Sequence, residues 1–315
     1  MTTVSEAARR ISQLGACATE LADYQDEPQQ MASGSIGKMG YLCLKFALHG
    51  HRSVLQQMDR RVPFLVQRAL YWDETLPQMP CVFIISTSGC VLQGDRMTLE
   101  VQVGPRACGH ITTQSATKIH SMENNYAAQM QTLTLEEGSY LEMIPDPVIP
   151  HSGSRFITDT CITLHPTATL FYSEILMSGR KYHQADRGFR FDVYSSRIRA
   201  CSPEGKILFA EHYVLEPHKH PLNGIGVMGP FNVSGNVILL TPSEHHQRII
   251  DRIPPHYDEV EGRASGVSRL PNDCGLIFKA LGKEASQVKM AIRLFWCVAR
   301  EEILGVTLPA PFLWR

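Results

Sequence analysis

The sequence lacks several features that would assign a class of function directly. Thirty basic and 31 acidic residues leave a net charge of −1, which gives no electrostatic basis for binding nucleic acid or an anionic membrane. No apolar run approaches the ~20 residues that span a bilayer, and the first ten residues lack the apolar core of a secretion signal. We therefore expect a cytoplasmic protein that binds neither nucleic acid nor membrane.

Motifs for common cofactors and enzymes are also missing. The nine cysteines form no Cys-x-x-Cys pair, so neither a disulfide framework nor a structural zinc knuckle is indicated. The Walker phosphate loop and the Gly-x-Ser-x-Gly and His-Glu-x-x-His hydrolase signatures are absent. Residues 224–229 match the dinucleotide-binding spacing, but Pro230 follows where a helix is required. The patterns indicate no enzyme, and any nucleotide hydrolysis must come from another protein.

Period-two patterns dominate the chain from residue 36 onward. Residues 42–48 and 97–103 alternate in the manner of strands with one buried face. Nine further strands are predicted between Gly, Pro, Asp or Ser residues, at 81–86, 131–136, 140–144, 160–164, 169–177, 189–199, 207–215, 236–241 and 276–281. The pattern predicts a mainly β protein, a large multi-stranded scaffold that is either β-helical or built from stacked sheets.

Two helices are predicted among these strands. Thr241-Pro-Ser-Glu244 has capping-box spacing with proline in the first turn, which indicates a short helix near 242–253. Apolar residues three and four positions apart, from Val288 to Ile303, predict a C-terminal helix near 283–304. Its apolar stripe either covers the β core or binds a partner.

The chain is predicted to form one domain with an N-terminal extension. All-β architectures often exceed two hundred residues as one unit, so 36–315 is expected to be a single domain. The first 35 residues differ from the rest, with a polar tract and a stretch of small residues, and are predicted to be a partly disordered extension.

Thirteen histidines raise the question of a metal site. The closely spaced pairs are His49/His51, His218/His220 and His245/His246. Two histidines two positions apart in a strand share a face and can chelate Ni²⁺ or Zn²⁺. Because the sequence places no further ligands nearby, we interpret them as solvated histidines and expect no stable metal site.

Seven short segments carry a resemblance to a known family. They are Gly37-Lys-Met-Gly40, Pro63-Phe-Leu-Val-Gln-Arg68, Gly94-Asp95, Thr112-Thr-Gln-Ser-Ala-Thr-Lys118, Tyr140-Leu-Glu-Met-Ile-Pro-Asp-Pro147, Glu174-Ile-Leu176 with Gly179-Arg180, and Ser268-Arg-Leu-Pro-Asn-Asp-Cys-Gly275. In this order they resemble the UreD (UreH) family of urease accessory proteins, from about residue 36 to the C-terminus. The chain departs from the family at Cys90, where glycine is frequent, and at His120, where tyrosine is usual.

The resemblance implies a non-catalytic β scaffold that binds the urease apoprotein. Members of the family recruit the helical accessory protein UreF and, through it, the GTPase UreG. The resemblance also implies a water-filled passage that delivers Ni²⁺ to the urease active site, with no tightly bound cofactor. A metal-dependent hydrolase on a β scaffold is the alternative, and it predicts a stoichiometric metal ion in the isolated protein.

A cation in transit needs oxygen ligands that release it, since a closed imidazole or thiolate site would trap it. Glu174 and Glu211 interrupt apolar strands, where a carboxylate must be paired or hydrated. For each carboxylate, a role in an ion pair or a turn stays open beside the passage. The candidate residues for the passage are Asp95, Glu142, Asp146, Glu174, Glu211 and His120.

A further set of polar residues lies inside the family-like segments. Thr112, Thr113, Gln114 and Lys118 form a cluster that either satisfies backbone groups or lines a wet channel. Arg180 and Arg269 are predicted to anchor neighbouring carbonyl groups or a partner.

Overall fold

The computed structural model describes residues 4–32, 34–181, 188–224 and 226–310. The strands in these ranges are β1 Met39–His49, β2 Arg52–Arg61, β3 Phe64–Leu65, β4 Cys81–Ser86, β5 Arg96–Val103, β6 Cys108–Thr113, β7 Thr117–Ile119, β8 Ala127–Leu135, β9 Tyr140–Met143, β10 Val148–Pro150, β11 Arg155–Leu164, β12 Thr169–Met177, β13 Val193–Cys201, β14 Ile207–Leu215, β15 Val233–Leu240, β16 His256–Asp258, β17 Arg263–Arg269 and β18 Gly275–Gly282. The α-helices are α1 Val4–Gln13, α2 His246–Asp251 and α3 Ala285–Leu304, and short 3-10 helices lie at Thr19–Tyr24, Ser243–His245 and Pro271–Asp273.

Two stacked sheets form the body of the fold. The first sheet has the order β14-β13-β11-β8-β5-β1-β2, and the second has the order β16-β17-β18-β15-β12-β9-β6-β4-β3, with β10 and β7 attached at β12. From β5 to β13 the chain alternates between the sheets, so the crossover that joins parallel neighbours in one sheet is a strand of the other. This is the coiled path of a β-helix, extended at the edges by antiparallel strands. The prediction of a mainly β, multi-stranded scaffold is confirmed.

Aliphatic rows in register fill the space between the sheets. In the first sheet Leu44 lies opposite Val101, which lies opposite Leu133, and Leu133 lies opposite Ile162. All four side chains are buried in the largest core cluster. Successive residues of a strand point to opposite faces of the sheet. A row of this kind at every second position along the strands therefore forms a continuous apolar interior.

Helix α3 packs on the outer face of the second sheet. Val288 and Ile292 lie against β15, and the ring of Phe295 stacks on that of Phe278 from β18 at 4.7 Å between centroids. A capping box between Glu284 and Gln287 begins the helix. The predicted C-terminal helix is therefore confirmed, and its apolar stripe covers the β core. No helix in the described ranges is both long enough and apolar enough to cross a membrane.

The short predicted helix and the N-terminal segment are both packed elements. The 3-10 turn Ser243–His245 and α2 lie within the predicted 242–253 range. In the N-terminal segment, Ile11 and Leu21 are buried against Tyr126, the residue before β8, and against Met130 of β8 in the first sheet. The Tyr126 hydroxyl also donates to the Leu14 carbonyl at 3.0 Å. Part of the segment predicted as an extension thus covers the outer face of that sheet.

Candidate site: a polar cavity between the sheets

A cavity of about 270 Å³ lies between the two sheets. A single buried water needs only ~10–15 Å³ of such space, so the cavity holds several. Exposed residues, including Ser86 and Lys118, line one end of it. Residues from the inner faces of both sheets line the remainder, among them Gln129, Gln131, Thr158, Tyr172 and Glu174.

Strand register creates the polar wall of this cavity. Gln129 of β8 lies opposite Thr158 of β11, and Thr158 lies opposite Ser196 of β13. The hydroxyl of Thr158 donates to Ser196 Oγ at 3.1 Å. One step along, Gln131 Nε2 donates to Thr160 Oγ1 at 3.0 Å and to the Tyr172 hydroxyl at 3.0 Å. The bond from Gln131 to Tyr172 joins the two sheets, and the other two bonds lie within the first sheet. Together they satisfy polar groups that the cavity wall would otherwise leave unpaired.

Glu174 is the carboxylate of this wall. The Tyr172 hydroxyl donates to Glu174 Oε1 at 2.7 Å, and Ser196 Oγ lies 3.5 Å from Oε2. Although Glu174 sits between the sheets, its side chain keeps accessible surface because it faces the cavity. Burial raises the pKa of Glu174 to about 7, and the negative charge of Glu211 acts in the same direction. At neutral pH this group therefore exchanges readily between its acid and its carboxylate.

Glu211 is a neighbour of the cavity rather than part of its lining. It lies on β14, at the edge of the first sheet, and bridges to the second sheet. Its Oε2 accepts a hydrogen bond from Asn236 Nδ2 at 2.8 Å, and its Oε1 pairs with Lys279 Nζ at 2.5 Å. Lys279 is exposed, so this ion pair reaches solvent, and the charges of both partners act on Glu174.

Asp146 and most of the predicted polar cluster do line the cavity. Asp146 Oδ1 pairs with Lys289 of α3 at 2.5 Å, and its backbone N–H donates to Thr113 Oγ1 at 2.8 Å. The Thr112 hydroxyl donates to the Ile144 carbonyl at 2.8 Å, which satisfies a backbone group as the sequence analysis allowed. Lys118 lies at the exposed end, and Gln114 is exposed outside the lining.

Glu142, a predicted passage residue, lies on the face of the second sheet opposite to Glu174 and does not line the cavity. Its oxygens accept hydrogen bonds from Tyr140 and Trp296, each at 2.7 Å, and from Arg300 Nε at 2.9 Å, and His110 Nδ1 lies at 2.8 Å. Burial alone would raise the pKa of Glu142, but the hydrogen bond with His110 and the charge of Arg300 outweigh it and lower the pKa to about 2. At neutral pH this carboxylate is therefore an anion, and its bonds to Trp296 and Arg300 hold α3 on the sheet.

Asp95 and Arg269 also have structural roles away from the cavity. Asp95 is fully buried; Oδ1 accepts the backbone N–H of Lys38 at 2.9 Å, and Oδ2 accepts that of Leu92 at 2.9 Å. It fixes the turn before β5, as its position after Gly94 suggested. Arg269 Nη2 donates to Gln247 Oε1 at 2.8 Å and so joins β17 to α2.

His120, Cys90 and Arg180 lie near the rim of the cavity. The pKa of the Cys90 thiol is raised, because the effect of burial exceeds the opposing effect of the charges of Lys118 and Arg180. His120 lines a second hollow of about 350 Å³ that shares Ser88, Gly89 and Cys90 with the cavity. Within the described ranges, no group of three or more His, Cys, Asp or Glu side chains is placed to hold a metal ion.

The polar row of the first sheet escaped the sequence analysis. The residues of this row point to the inner face of the sheet, as do the aliphatic residues further along the same strands. They are Gln129, Gln131, Thr158, Thr160 and Ser196. The signal lies within β8, where Gln129 and Gln131 occupy the same phase as Leu133 and Leu135. A polar residue in a buried phase requires a partner or water.

Comparisons with known proteins agree in pointing to one family. The family model described as "UreD urease accessory protein" matches residues 38–315. A Photorhabdus laumondii protein named urease accessory protein UreD is 71% identical over 312 residues, which cover 99% of this chain and 97% of the relative. Proteins of the same name from strains of Yersinia pseudotuberculosis and Yersinia enterocolitica are 63% and 62% identical, each over 97% of this chain and 95% of the relative.

Proposed function

The chain belongs to the UreD family of urease accessory proteins, and from this premise we propose that it acts in urease maturation as a cytoplasmic, non-catalytic scaffold through which Ni²⁺ passes toward the urease active site. The observation that carries the proposal is the placement of Glu174. This carboxylate is set in the polar wall of a cavity between two sheets and keeps surface exposed to it.

The lining of the cavity suits a cation that is held briefly. Amide, hydroxyl and carboxylate oxygens from Gln131, Thr158 and Glu174 are hard ligands, which bind a divalent cation more loosely than a set of thiolates or imidazoles. Because the pKa of Glu174 lies at about 7, a proton and a cation compete for the same oxygens. Protonation favours release, so the ion is not trapped.

The scaffold needs partners for every step besides conduction. In the proposed assembly it binds the urease apoprotein on one side and UreF on another, and UreF brings the GTPase UreG. Because this chain has no phosphate-binding loop in its sequence, GTP hydrolysis takes place on UreG. Its energy then drives the release of nickel from UreG. Ni²⁺ is the cargo of the scaffold and occupies it only in transit.

Replacement of the cavity carboxylate tests the proposal. Glu174→Gln keeps the size and the hydrogen-bonding shape of the side chain but removes its charge. We expect urease activated with this variant to contain several-fold less nickel, while urease and UreF still co-purify with the scaffold. Glu100→Gln is the matched control, because Glu100 is a buried carboxylate on the outer face of the first sheet, beside Tyr41. Wild-type nickel content with Glu174→Gln in an assembled complex would contradict the proposal.

A second experiment narrows the cavity without changing charge. Thr158→Leu places a longer apolar side chain into the space, whereas Thr158→Val removes the hydroxyl at nearly constant volume. We expect Thr158→Leu to reduce nickel delivery more than Thr158→Val does. Equal melting temperatures of the two variants would show that the difference does not come from lost stability. Equal delivery by both would mean that the route does not run past this residue.

A further inference from the structure

His120 and His151 stand side by side just beyond two parallel strands. Strands β7 and β10 pair with Ile119 opposite Pro150, and the backbone N–H of His151 donates to the Ile119 carbonyl at 2.9 Å. The two imidazole ring centroids are 5.7 Å apart, with an interplanar angle of 54°. Neither ring belongs to the closely spaced histidine pairs of the sequence, so only the sheet brings them together.

The separation of the rings is short enough for both to bind one cation. A metal ion at about 2.1 Å from one nitrogen of each imidazole lies ~3 Å from each ring centroid, so it can join rings whose centroids are up to ~6 Å apart. The observed 5.7 Å falls inside this limit. Both side chains are half-buried, which restricts their rotamers and lowers the entropic cost of holding an ion between them.

The surroundings of His120 favour metal binding through Nε2. Its Nδ1 lies 3.0 Å from the carbonyl oxygen of Ser121, and Ser121 Oγ lies 3.1 Å from the same nitrogen. When Nδ1–H donates to this carbonyl, Nε2 carries the lone pair and is able to coordinate a metal ion. The same hydrogen bond fixes the plane of the ring, as the outer contacts of metal-binding histidines do.

The pair lies next to the internal cavity. His120 lines the second hollow, and the segment Ser88 to Cys90 is common to the hollow and the cavity. Lys38 also lines the hollow, but its ammonium pairs with Asp95 Oδ2 at 2.9 Å, which compensates its charge. A cation at the two histidines would therefore stand at the rim of the cavity, not on a remote surface.

We propose that His120 and His151 form a binding site for one divalent transition-metal cation at the rim of the cavity. Imidazole selects Ni²⁺, Zn²⁺ and Cu²⁺ over Mg²⁺ and Ca²⁺. With two protein ligands the remaining coordination positions belong to water, so the ion exchanges and can move on. The choice of Ni²⁺ as the natural occupant and its transfer into the cavity rest on the proposed function; the site itself does not.

A nickel titration of the full-length chain, purified without a histidine tag, tests the site. X-ray absorption of the bound nickel reports imidazole rings through their outer-shell scattering, which distinguishes histidine from cysteine ligands. We expect His120→Gln and His151→Gln each to weaken Ni²⁺ binding at least ~10-fold. Loss of only the hydrogen-bond partners of a metal ligand already weakens binding by that much, and these variants remove the ligand itself. The double variant is expected to lose the imidazole signal.

The control is the double variant His49→Gln/His51→Gln, which removes two exposed histidines from a hairpin turn and should leave the signal intact. Equal melting temperatures of the variants separate loss of ligands from loss of fold. Unchanged nickel affinity and an unchanged two-imidazole signal in the His120→Gln/His151→Gln variant would overturn the proposal.

Glu174→Gln distinguishes the failure of this site from the failure of the passage. It should retain Ni²⁺ at the histidine pair while it lowers the nickel content of urease. Loss of the site in the double histidine variant, together with normal delivery by Glu174→Gln, would support the site and overturn the passage. Retained binding in the double histidine variant, together with impaired delivery by Glu174→Gln, would support the passage and overturn the histidine site.

Discussion

Arg300 and Glu142 are joined by two hydrogen bonds, from Nη2 to Oε2 at 2.8 Å and from Nε to Oε1 at 2.9 Å, and both side chains are buried. Arg300 Nη1 also pairs with Asp73. The guanidinium therefore links α3, β9 and the segment before β4 across the outer face of the second sheet. The inner face of the same sheet carries Glu174, so one sheet holds two carboxylates whose pKa values shift in opposite directions.

Removal of the guanidinium is expected to destabilise the fold strongly. Arg300→Met leaves Glu142 and Asp73 as buried anions without their cation, and breaking a buried ion pair in this way costs about 3–5 kcal/mol. The free energy of unfolding from denaturant titration measures the loss. The control is Arg248→Gln, which breaks the pair with Glu302 at an arginine that is 69% exposed, and a change within ~1 kcal/mol is expected. A loss no larger than that of the control would contradict the structural role of Arg300.

The stability that Glu142 supplies should disappear in acid. Its pKa is lowered from 4.5 to about 2, so the folded state binds its proton less readily than the unfolded state does. The contribution is fully present above pH 4.5 and is lost as the pH falls through about 2, on the order of 3 kcal/mol in total. The difference in unfolding free energy between wild type and Glu142→Gln should shrink over that window. A difference that stays constant from pH 5 to pH 2, a range that spans the interval between the ordinary pKa of 4.5 and the lowered pKa of about 2, would refute the assignment.

Glu174 should have the opposite pH dependence. Its raised pKa of about 7 means that the folded state holds the proton more tightly, so its contribution is fully present below pH 4.5 and is lost as the pH rises through about 7. Glu174→Gln is therefore expected to be more stable than wild type above pH 7, on the order of 2 kcal/mol, since cavity water offsets part of the desolvation. Thermal unfolding of both proteins from pH 5 to pH 8 measures this gain, and a gain that does not grow with pH would be inconsistent with a buried carboxylate.

Close approach of α3 to the second sheet depends on Gly235. A Cβ at this position would lie 2.6 Å from Val288 Cγ1, so Gly235→Val must push the helix outward and should cost about 1–3 kcal/mol. Gly266 lies in β17 of the same sheet, and nothing lies within 4 Å of a Cβ built there. Gly266→Val is thus the matched control, expected to be near neutral in denaturant titrations. Equal effects of the two substitutions would show that the loss of stability comes from strand propensity and not from the helix contact.

The elements that follow local rules could be predicted closely. The strands at 81–86 and 169–177 have the predicted bounds, and α3 begins at Ala285 where 283 was expected. Alternation, capping and breaking residues act over a few positions, so they are visible in one sequence. β2 was missed because it is a sheet-edge strand whose residues are mostly polar and do not alternate. The strand predicted at 189–199 begins later, at Val193, after Phe189 adopts a positive φ of 51°.

The sequence by itself determined the β class, the C-terminal helix and the presence of carboxylates inside apolar strands. Only the tertiary structure decided that Glu174 faces a cavity while Glu142 faces α3, because β9 is buried on both faces and its pattern does not mark an inner side. The register between strands likewise aligned Gln129 with Thr158 and brought His120 to His151. These partners are about thirty positions apart, and such pairings depend on how the whole coil stacks, which no local pattern encodes.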